Sequence, residues 1–195
     1  MKERAKKRLF IAVDISDEAR EAATEYVHRF KNDWPDPRIR ISWTRPQNLH
    51  LTLKFLGDVE EERLAELTDA IHIAAASVSN FQIEISGTGV FQSERKPKVL
   101  WIGVVDSGGN LKSAAREIEK NCAEIGFAKD ERDFSPHLTI GRVRDPRSAR
   151  ELAGAHIRHE FGPVLFDVGR IVLYESELAT GGSVYTPLIQ VELAG

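Results

Sequence analysis

Two short runs carry the side chains best suited to chemistry, HLTL at 50–53 and HLTI at 137–140. In each, a histidine is followed two places on by a threonine, with apolar residues between. Side chains alternate along a β-strand, so this spacing puts imidazole and hydroxyl on one face and aliphatic residues on the other. Along NLHLTLKFLG (48–57), His50, Thr52 and Lys54 share a face opposite Leu49, Leu51, Leu53 and Phe55. Along SPHLTIGRV (135–143), His137, Thr139 and Gly141 share a face opposite Pro136, Leu138 and Ile140. A histidine pair suits a reaction in which one proton leaves a nucleophile and another reaches a departing oxygen, because imidazole titrates near neutral pH and serves as acid or base. Thr52 and Thr139 stand roughly 6.5 Å along each strand from their histidines, where their hydroxyls can donate to a charged oxygen lying between the runs. The occupant that matches this set is a phosphate diester.

Neighbouring residues extend the candidate site. Lys54 continues the His50 face, whereas Arg142 falls opposite His137 unless a bulge at Gly141 turns it inward. An inward arginine pairs well with phosphate, being a planar multiple donor; for both cations a surface position is the alternative. Phe10 and Ala12 alternate with Leu9, Ile11 and Val13, as Trp101 and Gly103 do with Leu100, Ile102 and Val104. An aromatic beside a tiny residue in both copies suits a base-stacking platform, with ordinary core packing as the other use.

The elements that must position these residues follow from periodicity. RLFIAVDIS (8–16) reads as a strand, residues 17–30 as a helix, NDWPDP as a loop, 48–57 as a strand and 59–78 as a helix. FQIEISGTGVF and KVLWIGVV read as strands, 109–126 as a helix closed by Gly126, and 135–143 as a strand. A short helix near PRSARELAGA, a strand FDVGRIVLYES and a strand VYTPLIQVELA follow, the last two joined as a hairpin through ATGGS. Strand, helix and His-x-Thr strand thus occur twice in the same order. The expected fold is α+β: residues 1–195 form a single domain of two pseudo-symmetric lobes, each offering one His-x-Thr strand to a central cleft.

Composition narrows the function classes. With 42% hydrophobic and 29% charged residues the chain is in the globular range, and a formal net charge of −3 gives no bulk attraction to nucleic acid or membrane. An anionic ligand must therefore meet a local cationic cleft. One cysteine, Cys122, excludes an intrachain disulfide and fits a reducing compartment. The run LFIAV after the basic start MKERAKKR is too short for a secretory segment, and no stretch has the roughly 18 apolar residues of a membrane helix. A cytoplasmic, monomeric protein is expected, with the basic start a solvated and partly disordered terminus and contact with RNA as its other use.

Other signals are weaker. His156 and His159 form an H-x-x-H without cysteines or an acidic cluster to complete a zinc shell, and are expected in surface or loop positions. His28, His72 and Cys122 read as core or surface residues. GTG (87–89) and SGGN (107–110) lack the dinucleotide and phosphate-loop patterns and read as turns. KDERD (129–133) reads as a solvated loop, with shaping of the substrate entrance on the approach to His137 as its other use. No metal and no cofactor is expected.

HLTL and HLTI, together with RLFIAVDI, NLHLTLKFLGDV, GVF…KVLWIGV, SPHLTIGRV and VYTPL, resemble the two-histidine (2H) phosphoesterase superfamily in its LigT-like branch, the RNA 2′,3′-cyclic phosphodiesterases first described as 2′-5′ RNA ligases. The resemblance spans nearly the whole chain in order. It implies metal-independent hydrolysis of a 2′,3′-cyclic phosphate at an RNA end to a 2′-phosphomonoester, with reversible 2′-5′ ligation in some members. By position it makes His137 the general base that activates water and His50 the general acid that protonates the departing 3′ oxygen, with Thr52 and Thr139 on the non-bridging oxygens. The rival reading is a nucleotide- or RNA-binding module of the same fold that holds phosphate without turnover. A metal-dependent hydrolase built on His156 and His159 is the weakest.

Overall fold

Ser16 opens the first helix as a side-chain cap, its Oγ accepting from the Ala19 N–H, and Asp17 and Glu18 fill the first turn where acidic groups complement the helix dipole. Apolar residues at Ala19, Ala23, Tyr26, Val27 and Phe30 then form the buried stripe of a helix running to Asp33. The computed structural model describes residues 5–34, 38–145 and 149–195. Parts of three expected features lie outside the described residues: the start of the basic terminus, the end of the NDWPDP loop and the beginning of PRSARELAGA.

In chain order the elements are β1 (Lys6–Asp14), α1 (Asp17–Asp33), β2 (Ile41–Trp43), β3 (His50–Glu60), α2 (Leu64–Ala76), β4 (Phe81–Phe91), β5 (Val99–Val105), α3 (Asn110–Glu124), β6 (His137–Val143), α4 (Arg150–Arg158), β7 (Val164–Val168), β8 (Arg170–Ala179) and β9 (Gly182–Glu192). They build two antiparallel sheets, ordered β3-β1-β8-β9 and β2-β6-β5-β4-β7. The α+β, two-lobed expectation matches this layout: β1 pairs with the first His-x-Thr strand and β5 with the second.

The helices cross over between the sheets. Helices α2 and α3 pack on each other, with α3 against β3 and α2 against β8 and β9, while α1 meets β7 and α4 meets β4. Each repeat therefore sends its helix to cover the other repeat's sheet, and the buried aliphatic residues of both form one continuous cluster. On the other side of the sheets β3 and β6 approach each other, which brings the two His-x-Thr faces together.

Three local expectations need correction, and one strand was not expected. The run FDVGRIVLYES is two strands: the chain breaks at Gly169, β7 pairing with β4 in one sheet and β8 with β1 in the other. Periodicity is blind to this because each half is an apolar run suited to a strand and only Gly169 separates them. Strand β2, three residues long and paired only to β6, has too little sequence to announce itself. Helix α2 starts at Leu64 because β3 continues to Glu60, paired opposite Lys6. GTG is no turn but an irregularity inside β4, with Gly87 at φ +68 and the register shifting between Ile85 and Thr88. Gly89 lets the Trp101 ring lie on the strand, since a Cβ there would come within 2.2 Å of it. The expected hairpin holds, β8 and β9 remaining paired to Ala179 and Gly182.

Candidate active site

Both His-x-Thr strands begin in register with a neighbour and lose it at the same place. Asp14, Val13 and Ala12 face His50, Leu51 and Thr52, but Ile11 faces Lys54, leaving Leu53 as an extra residue. Gly103, Ile102 and Trp101 face His137, Leu138 and Thr139, but Leu100 faces Gly141, leaving Ile140 extra. An extra residue on one strand is a β-bulge, and it reverses the alternation beyond it. His50, Thr52 and Phe55 thus share the cleft face, as do His137, Thr139 and Arg142.

Lys54 is a correction: the bulge turns it away from His50 into the layer between β3 and α3. It is 2% exposed, and its Nζ donates to Glu119 Oε2 at 2.7 Å and to the Ala128 carbonyl at 2.9 Å. Phe55, assigned from alternation to the buried face, is 64% exposed instead. Arg142 is turned inward, as a bulge beside Gly141 requires, and its charge bears on both histidines. Gly141 occupies the place of Lys54 in the second copy, and a Cβ there would meet Ile41 and Trp43 of β2 at 3.0 and 3.1 Å.

The two imidazoles are held alike. His50 Nδ1 donates to the Asn48 carbonyl at 2.7 Å and His137 Nδ1 to the Ser135 carbonyl at 2.8 Å, in each case two residues back. A proton fixed on Nδ1 leaves Nε2 as the nitrogen that exchanges protons. The Thr52 hydroxyl, 3.0 Å from His50 Nε2, donates to it in this tautomer. The segment before His50 is clamped by Arg20 Nη1, which donates to the Pro46 and Leu49 carbonyls at 2.6 and 3.1 Å. Asn48 Nδ2 donates to Ser183 O at 2.7 Å and Arg45 to Gly181 O, tying the same segment to the β8–β9 hairpin. Burial pushes His50 down to about 4, against the opposing pull of the Asn48 carbonyl and the Asp14 carboxylate. Burial also lowers His137, aided by the Arg142 charge and opposed by the Ser135 carbonyl. Around pH 7 both rings are therefore neutral in this structure.

Aromatic groups frame the histidines differently from the expected platform. Phe10 is 3% exposed beneath His50, Tyr174 and Tyr185, with ring centroids at 4.8, 5.2 and 4.9 Å. It is the floor under His50 and offers no open face to a base. Trp101 sits beside Thr139, its ring 5.5 Å from Phe91, whose edge meets His137 at 4.5 Å. Trp101 corresponds to Ala12, not to Phe10, since these two residues lie opposite the paired threonines.

Sequence reasoning missed several contributors. Asp14 lies opposite His50 and accepts from Tyr174 Oη at 2.5 Å; its signal was the continued alternation Phe10, Ala12, Asp14. Tyr185, edge-on to His50 at 5.3 Å, lies within the VYTPL run. Phe91 ends the GVF run of the resemblance, whereas Arg20 had no signal, because only the tertiary fold brings it to the His50 segment.

His156 is another correction. It is wholly buried between α4 and β4, its Nδ1 accepting from Tyr26 Oη at 2.8 Å and its Nε2 donating to Gly89 O and Trp101 O at 3.1 and 3.2 Å. Burial pushes it down to about 4. His159 Nε2 lies 3.0 Å from Asp33 Oδ2. Among the described residues no three His, Cys, Asp or Glu side chains are grouped to hold a metal ion, and no helix is long and apolar enough to cross a membrane.

The family model of the 2'-5' RNA ligase superfamily matches residues 16–180. The chain is 33% identical over 186 residues to an RNA 2',3'-cyclic phosphodiesterase of Methanothermobacter thermautotrophicus, covering 94% of this chain and 97% of that one. It is 34% identical over 174 residues to an RNA 2',3'-cyclic phosphodiesterase of Aquifex aeolicus, covering 88% and 91%. In structure it is similar to E. coli LigT complexed with 3'-AMP, with a TM-score of 0.78, 26% identity and coverage of 98% and 100%.

Proposed function

The chain belongs to the 2'-5' RNA ligase superfamily and is an RNA 2',3'-cyclic phosphodiesterase; from that membership we propose that it opens the cyclic phosphate with His50 and His137 as its acid and base. The observation that carries the reading is the matched pair of bulged strands, each presenting a histidine with Nδ1 anchored and Nε2 turned to one cleft. His137 Nε2 accepts a proton from water as its oxygen attacks phosphorus. The bond from phosphorus to O3′ breaks, His50 Nε2 delivers a proton to that oxygen, and a 2′-phosphomonoester remains. Thr52, Thr139 and Arg142 hold the non-bridging oxygens, whose charge grows in the transition state. A 5′-hydroxyl in place of water leads to a 2′-5′ linkage by the same displacement.

Neutral rings in the unliganded cleft fit this cycle. A bound phosphodiester brings a negative charge to His50 and favours its protonated form, so the acid is armed by its own substrate. The chain acts as one catalytic unit, a cytoplasmic monomer that needs no metal in this proposal.

The test is hydrolysis of an oligonucleotide ending in a 2′,3′-cyclic phosphate, with excess chelator present. Wild type keeps full activity, and His50→Ala and His137→Ala each lose about 10²- to 10⁴-fold in kcat. Activity untouched by both substitutions, or abolished by chelator, refutes the mechanism. Binding of a 2′-phosphorylated nucleotide with no hydrolysis at all favours the non-catalytic module.

A further inference from the structure

Beyond the histidine cleft, the edge of the second sheet collects cations that the reaction does not use. Ser42 of β2 lies opposite Arg142, and the Arg144 N–H donates to the Arg40 carbonyl at 2.8 Å, so the ladder continues one step past both strands. Arg144 Nε donates to Ser42 Oγ at 2.6 Å, which keeps its side chain on the Arg142 face. Arg40 and Arg144 thus stand directly opposite one another. Like charges in that arrangement repel, and neither they nor Arg142 has a carboxylate partner among the described residues. An anion lying across the pair relieves the repulsion. In a chain of net charge −3, Arg40 and Arg144, with no carboxylate partner among the described residues, are a local exception beside Arg142.

The row leads into a cavity of about 1000 Å³ around strand β2, with Arg40, Ser42 and Arg144 on one side and Trp34, Trp43 and Lys31 on the other. Lys31 Nζ lies 5.0 Å from the centre of the Trp43 ring. Trp34 Nε1 is buried, with no hydrogen-bond partner among the described residues. Indole rings and flanking cations are the set that binds single-stranded nucleic acid by stacking and charge. Arg142, which touches the reacting phosphate in the proposed mechanism, begins the row, and successive side chains on one face of a strand stand roughly 6.5 Å apart.

We propose that this edge is a second RNA-binding subsite, in which Arg40 and Arg144 take a phosphate of the nucleotides 5′ to the reacting end and the Trp34–Trp43 cavity takes one of their bases. The proposal rests on the RNA reading of the cleft and adds to it that the enzyme grips a strand and not only a terminal nucleotide. Because the cyclic phosphate is at the 3′ end, the rest of the strand leaves the cleft in the 5′ direction, and β2 is the sheet edge beside the Arg142 side.

Fluorescence anisotropy of a labelled single-stranded octanucleotide ending in a 2′-phosphate, with a 2′-phosphorylated mononucleotide as competitor, tests it. The Arg40→Ala/Arg144→Ala variant is expected to bind the octanucleotide roughly 10-fold more weakly at physiological salt. The slope of log K against log salt should flatten by about 0.7, the value for one single-strand phosphate no longer neutralised. Mononucleotide affinity and turnover of a cyclic mononucleotide stay at the wild-type level. Arg40→Glu, at an exposed side chain without a hydrogen-bond or ion-pair partner among the described residues, should weaken octanucleotide binding further and guards against misfolding of the double variant. Octanucleotide binding unchanged in both variants overturns the proposal, and so does an equal loss for the mononucleotide. Wild type that turns over no cyclic phosphate, yet loses octanucleotide affinity in the variants, refutes the hydrolase mechanism and leaves the subsite standing.

Discussion

Replacing Lys54 by methionine separates the two places this side chain can occupy. In a regular strand it lines the phosphate cleft; after the bulge at Leu53 it joins β3 to α3 through Glu119 and the Ala128 carbonyl. Methionine retains most of the apolar stem, so the loss is confined to the charge and its two hydrogen bonds. Breaking a fully buried ion pair by removing one partner costs about 3–5 kcal/mol. Glu119 keeps 26% of its side-chain exposure and is partly rehydrated, which brings the expected cost to about 2–3 kcal/mol. For a chain of this size that corresponds to a fall in Tm of roughly 5–10 °C. Thermal melts of Lys54→Met, Glu119→Gln and the double variant should show a coupling of order 1–2 kcal/mol, because removing both partners leaves no unpaired charge. Steady-state kinetics on a cyclic phosphate should leave kcat/KM of Lys54→Met within about twofold of wild type. Arg142→Met should do the reverse, with Tm nearly unchanged and kcat/KM down roughly 10- to 100-fold, since a charged donor to phosphate is worth about 1.5–3 kcal/mol. A tenfold rise in KM for Lys54→Met at constant Tm refutes the bulge-based assignment.

The pH dependence of catalysis is the next expectation. Both histidines are lowered in the free protein, so the bell in kcat/KM should be centred below pH 6.5, its limbs belonging to the coupled pair. Bound substrate adds negative charge and should move the bell in kcat to higher pH; a kcat/KM optimum above pH 7 contradicts the burial argument. His156 governs acid stability in the same direction. Its folded pKa of about 4 lies below the usual 6.5, so as the pH falls the unfolded chain takes up the proton first. Its contribution is whole above about pH 6.5 and is lost towards pH 4, by about 3 kcal/mol. Urea unfolding of His156→Gln should accordingly depend less steeply on pH between 6.5 and 4 than that of wild type, and parallel curves refute the assignment.

Much of the candidate site was legible because it is local. The interval between histidine and threonine, the aliphatic residues between them and the recurrence of the whole strand-helix-strand order are properties of the chain, and alternation alone places His50 with Thr52 and His137 with Thr139. The hairpin through ATGGS and the N-terminal strand and helix follow from equally short-range chemistry. Lys54, Phe55 and Arg142 were decided otherwise. Each lies beyond an extra residue whose existence depends on how β3 pairs with β1 and β6 with β5, and one added residue reverses every side chain after it. Phe10 reads like a stacking platform until Tyr174 and Tyr185, brought from the last hairpin, close over it. His156 reads like a surface residue until α4 folds onto β4 and Tyr26 of α1, with the Gly89 and Trp101 carbonyls, reaches its ring nitrogens. The sequence by itself determined which groups can move protons and how each stands relative to its threonine, because strand geometry repeats every two residues. Only the tertiary structure decided which cations and rings reach the cleft, because strand register and the crossing of helices between sheets depend on partners far apart along the chain.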